Sequence, residues 1–230
     1  KEAENHFKQT VAKYKRLPEA ARAKAAPATA WAARARFEEG EGLFAQYSKI
    51  KFMLPQKVLT RLIIEKGKLL KKVTEIFFDV LNYKSAAWSA CALQKIGETY
   101  QDFATALFDT PVPPGLSQEE IEVYKIKLQE KAFPVEEKAL EAHAKNLNLS
   151  VSAKVYNQCV EASGAKLAKA RPDDYPRVTD DVVSAKHLVE PVDVARRRAA
   201  PQLRDVLEWD AAERLRRHRH LADEGRRRPV

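Results

Sequence analysis

Residues 93–100 read Leu-Gln-Lys-Ile-Gly-Glu-Thr-Tyr. Continued forward, the segment places Leu93, Ile96, Tyr100, Phe103 and Leu107 at alternating steps of three and four. That spacing is one face of a helix. Gly97 sits beside this face, where a missing side chain lets a partner helix come close. Upstream, Leu59, Leu62, Leu69, Val73, Phe77 and Leu81 repeat the same period between Pro55 and Asn82. Ile63, Ile64, Leu70, Ile76, Phe78 and Val80 widen that stripe, so this helix is expected between two neighbours. Downstream, Thr110-Pro-Val-Pro-Pro-Gly115 breaks the pattern, and Ser117-Gln-Glu-Glu120 forms a capping box in which hydroxyl and carboxylate satisfy first-turn amides. The next stripe is Ile121, Tyr124, Leu128, Ala132, Val135, Ala139 and Ala142. It stays in phase through Pro134, which predicts one long helix with a kink or two nearly continuous ones. A last helix carries Val155, Cys159, Ala162 and Leu167 and stops near Arg171-Pro172.

No window alternates with period two, so the fold class is all-α. Pro18, Pro27, Pro55, Pro111, Pro113, Pro114, Pro134 and Pro172 punctuate the helices. The first 25 residues give a helix with a thin face (His6, Phe7, Val11, Tyr14, Leu17), and the alanine-dense Ala20–Ala35 gives a closely packed or exposed one. The expected organisation is a helical domain over 1–171, a linker over 172–195 and a basic tail over 196–230, partly ordered or helical through Leu203, Val206, Leu207 and Leu215. The chain has 230 residues, 45% of them hydrophobic, with a net charge of +9. Of that charge, +8 belongs to residues 1–171, while the tail from Arg196 carries 11 arginines, no lysine and 6 acids. A spread lysine excess reads first as a solvated face. No 18-residue apolar run exists to span a membrane. The chain opens at Lys1, as expected of one processed or cut from a longer protein.

Chemistry-bearing constellations are sparse. His218 and His220 stand two apart on a helix and diverge, and His143 ends an apolar stripe as a partly buried packing residue. Glu119/Glu120, Glu136/Glu137 and Asp180/Asp181 are adjacent, so they do not face each other as acid/base pairs. Seven scattered glycines build no phosphate loop, and no nucleophile elbow occurs. The expectation is a chain without enzymatic activity, cofactor, metal or small-molecule substrate. Cys91 and Cys159 fall on different predicted helices. They read as core fillers, with a bridge as the alternative if their Cα atoms come within about 7 Å. Trp31, Trp88, Tyr100, Tyr124 and Tyr156 are the large amphipathic residues of the body. Trp88, Tyr100, Tyr124 and Tyr156 are the candidate partner-binding residues, against inter-helix packing as the plainer role of Trp88 and Tyr100.

The order large residue, Ile96 at +3, Gly97 at +4 and Tyr100 at +7 from Leu93 matches the tetratricopeptide spacing. Residues 87–143 resemble the helical region of tetratricopeptide-repeat proteins of myxobacteria, some of them in the adventurous gliding-motility machinery of the cell envelope. Trp88, the turn from Pro111 to Glu120, the segment Lys131 to Glu141 and a final helix at Val155-Tyr156-Asn157 carry the resemblance. Ala30–Gly40 and Tyr47–Phe52 look like its preceding helices, so the likeness spans 20–171. It implies antiparallel helical hairpins stacked as a right-handed solenoid, serving as a periplasmic or envelope interaction scaffold with other proteins of an envelope complex as partners. Cys159 stands where the family often has Trp, and the arginine-rich tail matches no part of it. The second expectation is a basic module that binds nucleic acid, another anionic polymer or a membrane surface through that tail.

Overall fold

Proline and cap chemistry set the helix boundaries in the computed structural model, which describes residues 2–176. Helix α1 spans Glu2–Arg16 and α2 Glu19–Lys24, with Pro18 as the α2 N-cap. Pro27 stands in the first turn of α3, Ala26–Tyr47, and Pro55 is the N-cap of α4, Gln56–Leu81. After α5, Ala86–Phe108, the proline-rich segment leads to α6, Gln118–Ala153. Helix α7 is Gln158–Ala170. Among the described residues there is no strand, so this part of the chain is all-helical. The tail, and all of the linker beyond residue 176, lie outside the described residues.

The capping box forms as expected. The Glu120 N–H donates to Ser117 Oγ at 3.3 Å, and the Ser117 N–H donates to Glu120 Oε2 at 2.8 Å. These bonds hold the Glu120 carboxyl below its ordinary range. Helix α6 runs unbroken through Pro134 for 36 residues. The carbonyl that loses its partner is that of Glu130, and both residues are exposed, so water can serve it. Two boundaries differ from expectation. Lys154 adopts a left-handed conformation, φ 52°, and ends α6. Val155, Tyr156 and Asn157 then precede α7 rather than belonging to it. Asn157 is a strong N-cap type, and its Oδ1 accepts from the Cys159 and Val160 N–H groups at 3.1 Å each. Likewise Tyr47 ends α3, and residues 48–55 are a connection, not a further helix. In α7 the buried positions are Val160, Ser163 and Leu167, with Ala162 half-buried.

Each helix packs on its neighbour: α1 on α3, α3 on α4, α4 on α5, α5 on α6, α6 on α7. Helix α5 also touches α3 and α7, which makes it the centre of the stack. Leu93, Ile96, Phe103 and Leu107 of the α5 stripe are buried, as are Leu59, Val73, Phe77 and Leu81 of α4. Ile64, expected to widen the α4 face, is exposed instead. Two pairs set the antiparallel register of α5 and α6. The Phe108 and Phe133 rings meet edge-on with centroids 5.7 Å apart. A Cβ built on Gly97 would lie 2.6 Å from the His143 ring, so only glycine admits that ring. Gly40 of α3 does the same for Phe77 of α4. The α3–α4 hairpin occupies residues 26–81, longer than the roughly 34 residues of a tetratricopeptide unit.

Two tethers complete the body. Cys91 of α5 and Cys159 of α7 form a disulfide, with Cα atoms 4.9 Å apart. The core-filler reading of both cysteines is thereby replaced by the bridge. Lys66 of α4 is fully buried and forms an ion pair with Asp102 of α5 at 2.7 Å. Its Nζ also donates to the Ile50 carbonyl at 3.1 Å and to the Tyr47 carbonyl at 3.5 Å.

Substitution Gly97→Ala should destabilise the fold by about 1–3 kcal/mol in denaturant titration, because overpacking against His143 outweighs the helix propensity gained. The disulfide closes a loop with a sequence separation of 68. The double variant Cys91→Ser, Cys159→Ser should lose about 4 kcal/mol on the loop-entropy scale, and wild-type protein under reducing conditions should lose the same.

Candidate functional site

Helices α5 and α6 are unequal partners. At 1.5 Å per residue, the 36 residues of α6 extend about 54 Å, and the 23 of α5 about 35 Å. The contact of Phe108, the last residue of α5, with Phe133 places the whole excess at the start of α6. The turns before Ala132 therefore run past the end of α5 as an arm. The connection from Asp109 to Ser117 runs alongside, tied on by the Tyr124 hydroxyl, which donates to the Pro111 carbonyl at 3.4 Å.

No residue between Gln118 and Lys131 is buried. Ile121, Tyr124 and Leu128, the stripe expected to face a core, are only half-buried. Val123, Ile126 and Phe133 form a second apolar line at helical spacing and are 50%, 53% and 54% exposed. Phe108, itself 37% exposed, extends this line across the end of α5. Glu122, Lys125, Lys127, Glu130 and Lys131 flank it. An apolar ridge within a charged rim is the pattern of a surface that a partner covers. The sequence pattern places the stripe through Tyr124 inward and leaves the ridge on the neighbouring face unremarked. Valine, isoleucine and phenylalanine three and seven residues apart were the available signal.

The four candidate aromatics do not converge. Trp88, at the start of α5, is half-buried against Phe37, with ring centroids 5.3 Å apart and the Arg34 guanidinium 5.9 Å from its centroid. Tyr100 is half-buried in the middle of α5. Tyr124 lies on the arm. Tyr156 is 78% exposed, just before α7. The adjacent Asn157 reaches the Ala87 carbonyl at 3.4 Å, which brings Tyr156 to the same end of α5 as Trp88. Trp31 joins that end: it is 61% exposed, and Arg34 lies 5.4 Å from its ring.

One polar cluster has a catalytic look. His143 Nδ1 lies 3.1 Å from Ser163 Oγ, and Asn146 Nδ2 donates to the same oxygen at 2.8 Å and to the Cys159 carbonyl at 3.1 Å. All three side chains are buried, His143 fully rather than partly as expected. The cluster therefore knits α6 to α7 and offers no face to a substrate. Burial pushes the His143 imidazole down to about 4, helped by the Lys166 charge and opposed by Glu98. Among the described residues no group of three or more His, Cys, Asp or Glu side chains could hold a metal ion. No protein-family model matches the chain, and no curated protein and no solved structure matches it.

The folded protein keeps His143 neutral down to about pH 4, whereas the unfolded chain takes up the proton near its ordinary value of 6.5. Stability from this residue is complete above pH 6.5 and falls as pH drops toward 4, by about 3 kcal/mol in all. In His143→Gln that segment of the pH–stability curve should flatten, as measured by the difference between wild-type and variant denaturation midpoints from pH 7 to pH 4.

Proposed function

We propose that the chain is a non-catalytic protein-interaction scaffold that binds its partner along the α6 arm. The observation that carries this reading is the exposed ridge of Val123, Ile126 and Phe133 on α6, continued by Phe108 of α5, at the stretch of α6 before Ala132 where no residue is fully buried. A partner that covered it would remove three large aliphatic or aromatic side chains and the edge of a fourth from water, an apolar centre of the kind that dominates interface energy. The charged rim would set orientation and contribute less. Burial of Ser163 and His143 supports a non-catalytic role.

The architecture we infer is a tetratricopeptide-like solenoid of stacked hairpins. Support comes from the chain-order packing and from α5 touching α3 and α7 as well as its sequence neighbours. The setting we infer is the periplasm or cell envelope of a bacterium, in a complex such as that of gliding motility. Support comes from the pairing of both cysteines, since structural disulfides persist in oxidising compartments. No helix among the described residues is long and apolar enough to cross a membrane.

The test is a pull-down from native envelope extract at low and high salt, with three baits: the full chain, a chain ending at Arg171, and the full chain carrying Val123→Glu and Ile126→Glu. These two positions are exposed, so the double variant should keep the wild-type melting temperature. The expected result is the same protein partners at both salt levels for the first two baits and their loss with the third. Partners retained by the double variant would remove the arm from the reading. Recovery that vanishes at high salt or without the tail, with nucleic acid or lipid as the ligand, would transfer the function to the arginine-rich tail.

A further inference from the structure

Helix α4 carries a line of Lys57, Arg61, Ile64 and Lys68 at steps of four, three and four. All four side chains are exposed. Lys71, Lys72 and Glu65 stand on the shoulders of this line, and Glu75, further along, is taken by Lys71 at 3.8 Å. The α6 arm repeats the same steps with the opposite charge. Glu119, Val123, Ile126 and Glu130 are spaced by four, three and four, and all four are exposed. Glu122 and Lys127 stand on the shoulders of this second line, while Lys125 and Lys131 lie about a third of a turn away from it. In each line the end charges, 57 and 68 or 119 and 130, are separated by about 16 Å of helix, with the apolar side chains between them. Among the described residues no ion pair engages Lys57, Arg61, Lys68, Glu119 or Glu130.

We infer that the α6 arm of one copy docks on α4 of a second copy of this chain. The inference rests on the reading of the arm as a binding surface and names its partner. Laid antiparallel, the two lines set Glu119 against Lys68, Val123 against Ile64 and Glu130 against Lys57. Ile126 then meets Arg61, whose methylene stem can cover it while the guanidinium stays in water. The same direction carries Phe133 toward Met53, which is exposed in the connection before α4. Charge selects this pairing over its rivals. Two arms laid antiparallel would set Glu119 against Glu130 at both ends, and two α4 faces would set Lys57 against Lys68, so both symmetric contacts are repulsive. The contact is therefore heterologous. A copy engaged through its arm keeps its α4 face free, and association continues past the dimer into a ring or a filament. One helix laid on another over this length is a small interface, so the copies associate weakly and reversibly.

The experiment is sedimentation velocity on the purified full chain over a concentration series. The sedimentation coefficient is expected to rise with concentration beyond the value of a dimer. Two double variants reverse the charges: Glu119→Lys with Glu130→Lys on the arm, and Lys57→Glu with Lys68→Glu on α4. Each should weaken self-association at least about tenfold, because two attractive pairs become repulsive. All four positions are exposed, so both variants should melt close to the wild-type temperature. A mixture of the two variants should associate again, because the reversed arm of one then meets the reversed α4 of the other. A wild-type chain that stays monomeric, association that stops at a dimer, an α4 variant that associates like the wild type, or a mixture that stays dissociated would each overturn the inference. A monomeric wild type whose arm still captured other proteins in the pull-down would overturn this inference alone and leave the arm as a binding surface.

Discussion

The Lys66 ammonium is the joint on which the helical body turns. It is buried at the meeting point of α3, α4 and α5, and each of those elements supplies it with a partner or carries it. Asp102 of α5 provides the countercharge, and the Tyr47 and Ile50 carbonyls at the end of α3 accept its protons. The Tyr47 ring lies 4.2 Å from Nζ and adds its π face. A cation near a helix C-terminus is favourable twice over here, through the orphan carbonyls and through the dipole. Taking such a charge out of water is costly, and the arrangement holds only while all partners are present. Tyr47 extends the joint, because its hydroxyl donates to the Thr99 carbonyl of α5 at 2.9 Å. Burial and the Asp102 charge push that phenol up, so it stays a donor. The connection after α3 is thereby held against both following helices, and α5 takes its central place.

From that centre the molecule divides along α6. The half from Ala132 onward lies against α5 and α7 and carries every buried residue of the helix. Small residues face the contact, and Gly97 opens space for the His143 ring. The polar members of that contact, His143, Asn146 and Ser163, are joined through the Ser163 hydroxyl, and the disulfide holds α7 on the same surface. The half before Ala132 has no helix to lie against. One end of the helix is over-determined, and the other leaves Val123 and Ile126 open to solvent. In the proposed binding, a helix already formed would lose little conformational entropy on being covered.

Much of this could be read from residue patterns, and the reasons differ by element. The Leu93–Leu107 stripe, the 56–81 helix and the Ser117–Glu120 box were legible because they depend on spacing and on local hydrogen bonds. Continuity through Pro134 was legible because the stripe kept its phase across it. The helix start at Val155 was misplaced. The left-handed turn at Lys154 and the cap at Asn157 redirect the chain within four residues, and periodicity cannot see so short an interruption. His143, which closes the stripe, was expected to be partly buried. Nothing in its own helix reveals that the facing residue is Gly97.

What the sequence determined by itself is therefore the all-helical class of the described residues, the principal helices and the Ser117–Glu120 cap of α6. Those properties follow from side-chain period and from bonds between residues a few positions apart. Tertiary structure alone decided which stripes are covered. The Ile121–Leu128 stripe has the same period as the buried part of α6, yet it is half open because α5 stops at Phe108. Pairing of Cys91 with Cys159 and burial of Lys66 are of the same kind. Each depends on where the ends of different helices meet, and that is set by relative helix lengths and register across the stack, not by any one segment's pattern.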